Sequence, residues 1–432
     1  MSLEIHLAKV GIGDCILIRM GREKRKVNLL IDSGKNDDGY RKTTEYIRNN
    51  LENIDYMMIT HDDDDHIMGI FNTIVLNKQN DILCNQVNSL FSEKHVFANY
   101  WKKGSEELLD YKKMEKIGKS FQDKDIDLQK LEYIVADPKN REDESEAVGL
   151  NMFQILWKVD ESGEFVSEIR KVEEYQKNRM KNGFPTVDDE WEHAEILILS
   201  PTRDTLRTYV DSAWEKYKRE LDESEVLFAG KKKDKGINEW DYSIQQLYDH
   251  PLEIKEDDSK VNNASISFLL FYNGTTSLFA GDSKPSDMIE TAKRYLEFLG
   301  VRKQVISLDF MKMPHHASSH NNSLEFIEMF PTKYYLISTK GHNGYKHPGK
   351  QTMANIARVH QKDKESYILC NYHPWSDGKI KFGDKEHGWN TQSGECQVKI
   401  SEDENVILHF IELENSAYKI SNDISEEILV SL

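Results

Sequence analysis

The chain has 432 residues, 38% hydrophobic and 31% charged, which suits a globular protein of two or three structural units. Fifty-seven basic against 75 acidic residues leave a net charge of −18, so the overall field gives no help in capturing a polyanion. No apolar run approaches the roughly 18 residues of a membrane span, and the first twenty residues alternate in polarity, unlike a signal peptide. Four scattered cysteines (Cys15, Cys84, Cys370, Cys396) offer no CxxC pair. These features weigh against membrane-spanning and secreted classes and predict a cytoplasmic protein with no membrane partner.

In chain order, Leu3–Leu7 alternates with period two, and Cys15–Arg19 and Val27–Ile31 are short β-type runs. Gly11-Ile-Gly13 supplies a turn between the first pair, and Gly21 helps divide the second. Helical spacing over Tyr40–Leu51 places Tyr46, Ile47 and Leu51 on one face. The apolar strand Ile54–Ile59 then ends at Thr60. Alternation of strand and helix predicts an α/β layered protein.

From residue 78 to about 260 charge is dense, and a mainly helical insertion is expected, with one strand at 195–199. Part of the polar stretch 222–258 reads as a long excursion or a poorly ordered segment. Basic clusters at 22–26 and 231–235 are solvated surface or local polyanion contacts. Afterwards Ser265–Tyr272 and Thr276–Ala280 flank Asn273-Gly274, a strong hairpin signal. A helix at 286–299, a strand at 305–313, a strand at 334–338, a helix at 351–360 and a strand at 367–371 follow. The pattern predicts a core from residues 1–77 and 261–377, an insertion at 78–260, and a C-terminal appendage at 378–432 with a strand near 406–411.

The densest chemical signal is Thr60-His-Asp-Asp-Asp-Asp-His66, directly after an apolar strand. In an extended loop the alternating His61, Asp63 and Asp65 project to one side, and His66 reaches the same point where a helix begins. Two imidazoles and two carboxylates around a small volume suit a dinuclear metal site. A calcium loop would need glycine and glutamate at positions where this stretch has neither. A merely acidic surface loop has no need of a histidine at each end.

With three further segments, this stretch resembles the metallo-β-lactamase hydrolase superfamily. Its His-x-His-x-Asp-His motif appears here with Asp63 in place of the second histidine, a variant similar to the ComEC-like branch related to phosphorylcholine esterases. Gly11-Ile-Gly-Asp-Cys-Ile-Leu-Ile18 matches the opening strand pair, and Leu30-Ile-Asp-Ser-Gly34 the next strand and its aspartate. Phe279-Ala-Gly-Asp282 corresponds to the later Gly-Asp, and Met313-Pro-His-His-Ala-Ser318 to the Pro-His-His-Gly-Ser segment. The resemblance implies a four-layer αββα sandwich. It assigns His61 and Asp63 to one metal, Asp65 and His66 to the other, Asp282 as the bridge, and His315 and His316 to complete the shells.

It further implies that Asp65 orients a metal-bound hydroxide as well as ligating, and that Asp32 supports the His61 loop from behind. His347 resembles a family histidine near the site and is the candidate proton donor; otherwise it is a loop histidine before a proline. Ser318 contacts substrate or caps a turn. Without the family context, Gly281-Asp282 could be a plain turn and His315-His316 a capped pair. The separate histidine usual before the later strand pair is absent: Asn262 and Asn263 stand there, and His193 is the other candidate. Cys15 reads as a buried structural thiol.

Three carboxylates with four imidazoles make a hard ligand set, so zinc is expected with manganese as competitor. The leading reading is a metal-dependent phosphodiesterase or nuclease acting on DNA or RNA, with the insertion as wall or track. A small-molecule phosphodiesterase or esterase, with the insertion as a lid, is the second. The third is a regulatory or interaction subunit of a defence or uptake system, binding a protein partner through the insertion.

Overall fold

A computed structural model describes residues 2–11, 13–22, 25–34, 56–58, 60, 61, 63, 65, 66, 89–91, 194–202, 205, 208, 209, 212, 238–272, 274–298, 304–339, 347–372, 389, 390, 394–413 and 417–421. Among them the chain is mixed α/β, with two sheets. The first holds β1 (Ser2–Leu7), β2 (Ile16–Arg22), β3 (Arg25–Ile31), β4 (Tyr56–Met58), β5 (Ser89–Phe91) and β15 (Ala417–Ser421), in the order β15-β1-β2-β3-β4-β5.

The second sheet holds β6 (Ala194–Ser200), β7 (Ser267–Tyr272), β8 (Thr275–Phe279), β9 (Leu308–Lys312), β10 (Thr332–Ile337) and β11 (Glu365–Cys370). It is completed by β12 (Trp389–Asn390), β13 (Glu395–Lys399) and β14 (Asn405–Glu412). Their order is β12-β13-β14-β11-β10-β9-β8-β7-β6, and the run from β8 through β14 is parallel. The helices are α1 (Ile244–Asp249), α2 (Lys260–Asn263), α3 (Pro285–Phe298), α4 (Leu324–Met329) and α5 (Lys350–Val359).

Period-two alternation explains the first sheet. Leu3, Ile5 and Leu7 of β1, Ile16, Ile18 and Met20 of β2, and Leu29 and Ile31 of β3 face the second sheet. They meet Phe268 and Leu270 of β7, Phe279 of β8, Phe310 of β9, Leu336 of β10 and Leu369 of β11. Phe268 and Phe279, cross-strand neighbours, stack there with ring centroids 5.2 Å apart. Each such buried ring contributes about 1.5–3 kcal/mol.

The other face of the second sheet is covered by helices. Met288, Ile289, Ala292 and Leu296 put one stripe of α3 against Leu269, Leu278 and Met311, while Met353, Ala354, Ile356 and Ala357 do the same for α5. Serine caps start three of the helices, with Ser259 accepting from Asn262 N–H on α2. Ser243 and Gln246 form a reciprocal capping box on α1, and Ser323 accepts from Phe326 N–H on α4. Three layers (sheet, sheet, helices) are therefore described. On the remaining face Leu17 and Leu30 are also fully buried, so that face too is covered. No helix among the described residues is long and apolar enough to cross a membrane.

Among the described residues, three segments are tied more closely to the sheets and helices than the sequence suggests. Within 378–432, β14 lies beside β11 inside the second sheet, and β15 pairs with β1 in the first. Short polar strands here hide their membership, because their partners lie far away in sequence. The strand expected at 195–199 is not set apart in an insertion, since β6 pairs antiparallel with β7. Residues 238–258 are likewise no free excursion. Their polar groups hydrogen-bond α5: Gln351 N–H donates to Glu239 Oε2 (2.7 Å), Leu252 N–H to Gln351 Oε1 (2.9 Å) and Arg358 Nε to Tyr248 O (3.0 Å). The helix expected at 40–51, residue His193 and most of the stretch 78–193 lie outside the described residues.

Candidate metal centre

The expected ligands gather where strands of both sheets end. Thr60 and His61 follow β4, Asp282 follows β8, and a single 3-10 turn at Pro314–Ala317 follows β9. Carboxyl ends of parallel strands are where open α/β sheets place their chemistry. Glycine makes two close approaches feasible. A Cβ on Gly13 (φ +100°) would lie 1.7 Å from Asp65 O, and one on Gly281 (φ +50°) would lie 2.3 Å from Ser265 Oγ.

Four non-glycine residues here hold left-handed backbone: Asp32 (φ 54°), His315 (48°), His316 (51°) and Ala317 (65°). Each costs on the order of 1–3 kcal/mol, so the surroundings must enforce it. They do so with His315 N–H donating to Gly281 O (2.9 Å), and with Asn322 Nδ2 donating to Pro314 O (3.0 Å) and Ser318 O (2.7 Å).

The histidine tautomers follow from their partners. His66 Nδ1 faces Asp32 Oδ2 at 2.7 Å, and His316 Nδ1 faces Ser338 O at 2.7 Å; both partners accept, so each Nδ1 carries the proton. Thr60 Oγ1 spends its one proton on Asp32 Oδ2 (2.6 Å) and therefore accepts from His61 Nδ1 (3.0 Å). Asp32 Oδ1 takes Thr60 N–H as well (2.8 Å). His315 Nδ1 faces Asn321 Oδ1 at 3.0 Å, and Asn321 Nδ2 donates to Asp282 O (3.1 Å), which fixes that amide's orientation. All four Nε2 lone pairs are thereby left for the centre.

Asp282 divides them. Its Oδ2 lies 3.9 Å from His61 Nε2 and 3.6 Å from His315 Nε2, while its Oδ1 lies 3.4 Å from His66 Nε2. Asp63 Oδ2 is 3.7 Å from His61 Nε2, and Asp65 Oδ2 is 3.3 Å from His316 Nε2. Two clusters, His61–His66–Asp282 and Asp65–His66–His316, bring their ligand atoms within 4.8 Å of one another and could hold metal ions. The fit is chemical as well as spatial. His61 Nε2, His66 Nε2, His316 Nε2 and Asp282 Oδ1 are buried without a hydrogen-bond partner. Such orphaned groups cost free energy unless something is bound between them.

Protons are the competing occupants. Burial is the largest influence on His66 and His316 and works downward, yet it is outweighed by neighbouring carboxylates. Asp14 and Asp282 push His316 up to about 10, and Asp282 and Asp32 raise His66. Burial works upward on Asp65 and Asp282, and the histidines nonetheless hold both below the usual carboxylate range.

The other expected residues fall unevenly. His347 lies at the centre, its ring 5.2 Å from that of His315 and 6.1 Å from that of His316. Ser318 is buried and its hydroxyl accepts from His320 N–H (3.3 Å), so it holds a turn and is not presented to a substrate. Asn263 Oδ1 is buried without a hydrogen bond, and the link to the centre runs through Asn262 instead. Cys15 is a buried thiol.

Sequence reasoning missed Asp14, Lys312 and Asp257. Lys312 donates to Asp14 Oδ2 at 2.5 Å, both fully buried, and Asp14 Oδ1 lies 3.5 Å from His316 Nδ1. The one available signal was Asp14 itself, inside the Gly11-Ile-Gly-Asp turn. No family model matches this chain, and a search of curated proteins returns no match.

Proposed function

We propose that this protein is a dinuclear metal-dependent hydrolase of metallo-β-lactamase type, acting on phosphodiesters and foremost on nucleic acid. The carrying observation is the set of buried, unpartnered Nε2 and Oδ1 atoms arranged about the two oxygens of Asp282. His61, Asp63, His315 and Asp282 Oδ2 would hold one ion, and Asp65, His66, His316 and Asp282 Oδ1 the other. Zinc, or manganese given the three carboxylates, would supply the Lewis acidity that brings a water's pKa from ~15.7 towards ~7.

The chain's own residues set up the rest. Asp65, with about a quarter of its side chain exposed, can accept a hydrogen bond from an incoming water and aim it. His347, its ring 5.2 Å from that of His315, would donate a hydrogen bond to a leaving oxygen. Asp32 and Thr60 fix the rings of His66 and His61. An αββα sandwich accords with the three described layers and the buried outer face of the first sheet.

Purified protein should carry up to two equivalents of transition metal. Asp65→Asn and His66→Ala should each lower bis-p-nitrophenyl phosphate hydrolysis by about a hundredfold or more, with unchanged circular dichroism. Full turnover in both variants would reject the proposal. The net charge of −18 favours a second reading, a small-molecule phosphodiesterase or esterase. Activity on small diesters with no cleavage of single- or double-stranded DNA or RNA would select it.

A further inference from the structure

We propose that Asp257 is a positioning residue for His315, held in place by Asn262, one of the two asparagines that stand where a separate histidine is expected just before β7. The inference rests on the metal reading above. Asp257 Oδ2 lies 3.3 Å from His315 Nδ1, on the side of the ring away from Asp282. The Nδ1–H donates to Asn321 Oδ1 with the Asp257 carboxylate beside it at 3.3 Å, and Nε2 is held toward Asp282 Oδ2.

Asp257 is itself fixed from three directions. Ser259 N–H donates to its Oδ1 (2.9 Å), Asn262 Nδ2 donates to its Oδ2 (2.7 Å), and its own N–H donates to His320 O (3.3 Å). Asn262 is held in turn, because its Oδ1 accepts from Ser259 Oγ (3.1 Å) and its N–H donates to the same hydroxyl (3.3 Å). The polar run from 257 to 262 therefore has one readable purpose: it presents a carboxylate to the back of His315. Asn262 occupies the place where a ligand histidine was sought and contributes through Asp257.

The consequence is a difference between the two adjacent histidines; at the other ion place the carboxylate, Asp32, stands behind His66 at 2.7 Å. His316 is backed most closely by a neutral carbonyl, Ser338 O, at 2.7 Å, with Asp14 farther off at 3.5 Å. His315 is backed by Asn321 and a carboxylate within hydrogen-bonding range. A carboxylate behind an imidazole fixes the tautomer and raises the donor strength of the far nitrogen, an effect worth about 10–100-fold in metal affinity. Asp257 should therefore tune the ion held by His61, Asp63 and His315 and leave the ion held by Asp65, His66 and His316 alone.

The test is a cobalt(II) titration of chelator-stripped full-length protein, following visible absorption and affinity by competition, with the thermal midpoint as a control for folding. Wild type should bind in two resolved steps. Asp257→Asn should weaken one step by about 10–100-fold and alter its band while the other step is unchanged. Asn262→Ala, which frees Asp257 Oδ2, should shift the same step in the same direction, and it decides the matter if Asp257→Asn fails to fold. Two unchanged steps, or two steps weakened equally, would overturn the role of Asp257 while the metal reading stands. No cobalt binding by wild type would overturn the metal reading and this inference with it.

Discussion

Replacing Lys312 by methionine tests whether a buried charge pair ties the metal-centre loops to both sheets. Lys312 and Asp14 are 0% and 1% exposed, their charged atoms are 2.5 Å apart, and 298 residues separate them in sequence. Methionine conserves most of the volume, so the loss is electrostatic and not one of packing. It strands the Asp14 carboxylate, with His316 Nδ1 at 3.5 Å as the nearest countercharge. Breaking one partner of a buried pair costs about 3–5 kcal/mol, and the remaining histidine puts the expected loss at the lower end.

A second route agrees. Burial, the largest influence on Asp14, raises its pKa, but Lys312 and His316 hold it at about 2 against 3.8. A depression of nearly two units is worth about 2–3 kcal/mol. Because the folded value is the lower one, that stability is present above about pH 3.8 and is lost as pH falls through about 2. Without Lys312, burial prevails and Asp14 takes up a proton at higher pH. The gap between wild type and variant should thus be widest near pH 7 and narrow towards pH 4. Urea unfolding of chelator-treated protein, followed by tryptophan fluorescence across that range, measures it. A loss below about 1 kcal/mol at pH 7, or a gap independent of pH, would show that Lys312 does not hold the Asp14 charge in place.

Three further outcomes are expected. Gly13→Ala places a Cβ 1.7 Å from Asp65 O and forces that loop away, so metal affinity should fall by more than about tenfold in a competition assay with a chromophoric chelator. Thr60→Val removes the hydroxyl that joins Asp32 to His61. The same assay should show a loss of about 10–100-fold, with a stability cost of about 1–3 kcal/mol in thermal unfolding. His316, held near 10, stabilises the ion-free protein fully below about pH 6.5, and that contribution is lost as pH rises through about 10. Ion binding near pH 7.5 must therefore expel protons and tighten as pH rises. A weakly buffered titration with an indicator dye should record at least one proton released per protein, and none released would contradict the assignment.

The sequence was most informative where one local period dominated. Strands expected at 3–7 and 27–31 appear as Ser2–Leu7 and Arg25–Ile31, and helices expected at 286–299 and 351–360 as Pro285–Phe298 and Lys350–Val359. The gathering of His61, Asp63, Asp65, His66, Asp282, His315 and His316 in one place was expected from ordered motifs, and the structure brings them together. Asp14, Lys312 and Asp257 escaped because a lone acid in a turn, or a lysine at a strand end, has no period or spacing that marks it. Only long-range pairing reveals them. The C-terminal strands escaped for a related reason: β14 finds its place through β11, and a short polar strand does not announce its partner.

The pairing of Ser2 with Ser421 bears on how the protein comes to be made. β1 is flanked on one side by β2 as soon as the first two dozen residues have emerged, but its other edge has no neighbour until residues 417–421 arrive. Until then, a row of unpaired backbone amides and carbonyls stands ready to dock with another nascent chain. Residues 417–421 close that edge, so its protection from mispairing waits on a segment made long after β1 itself.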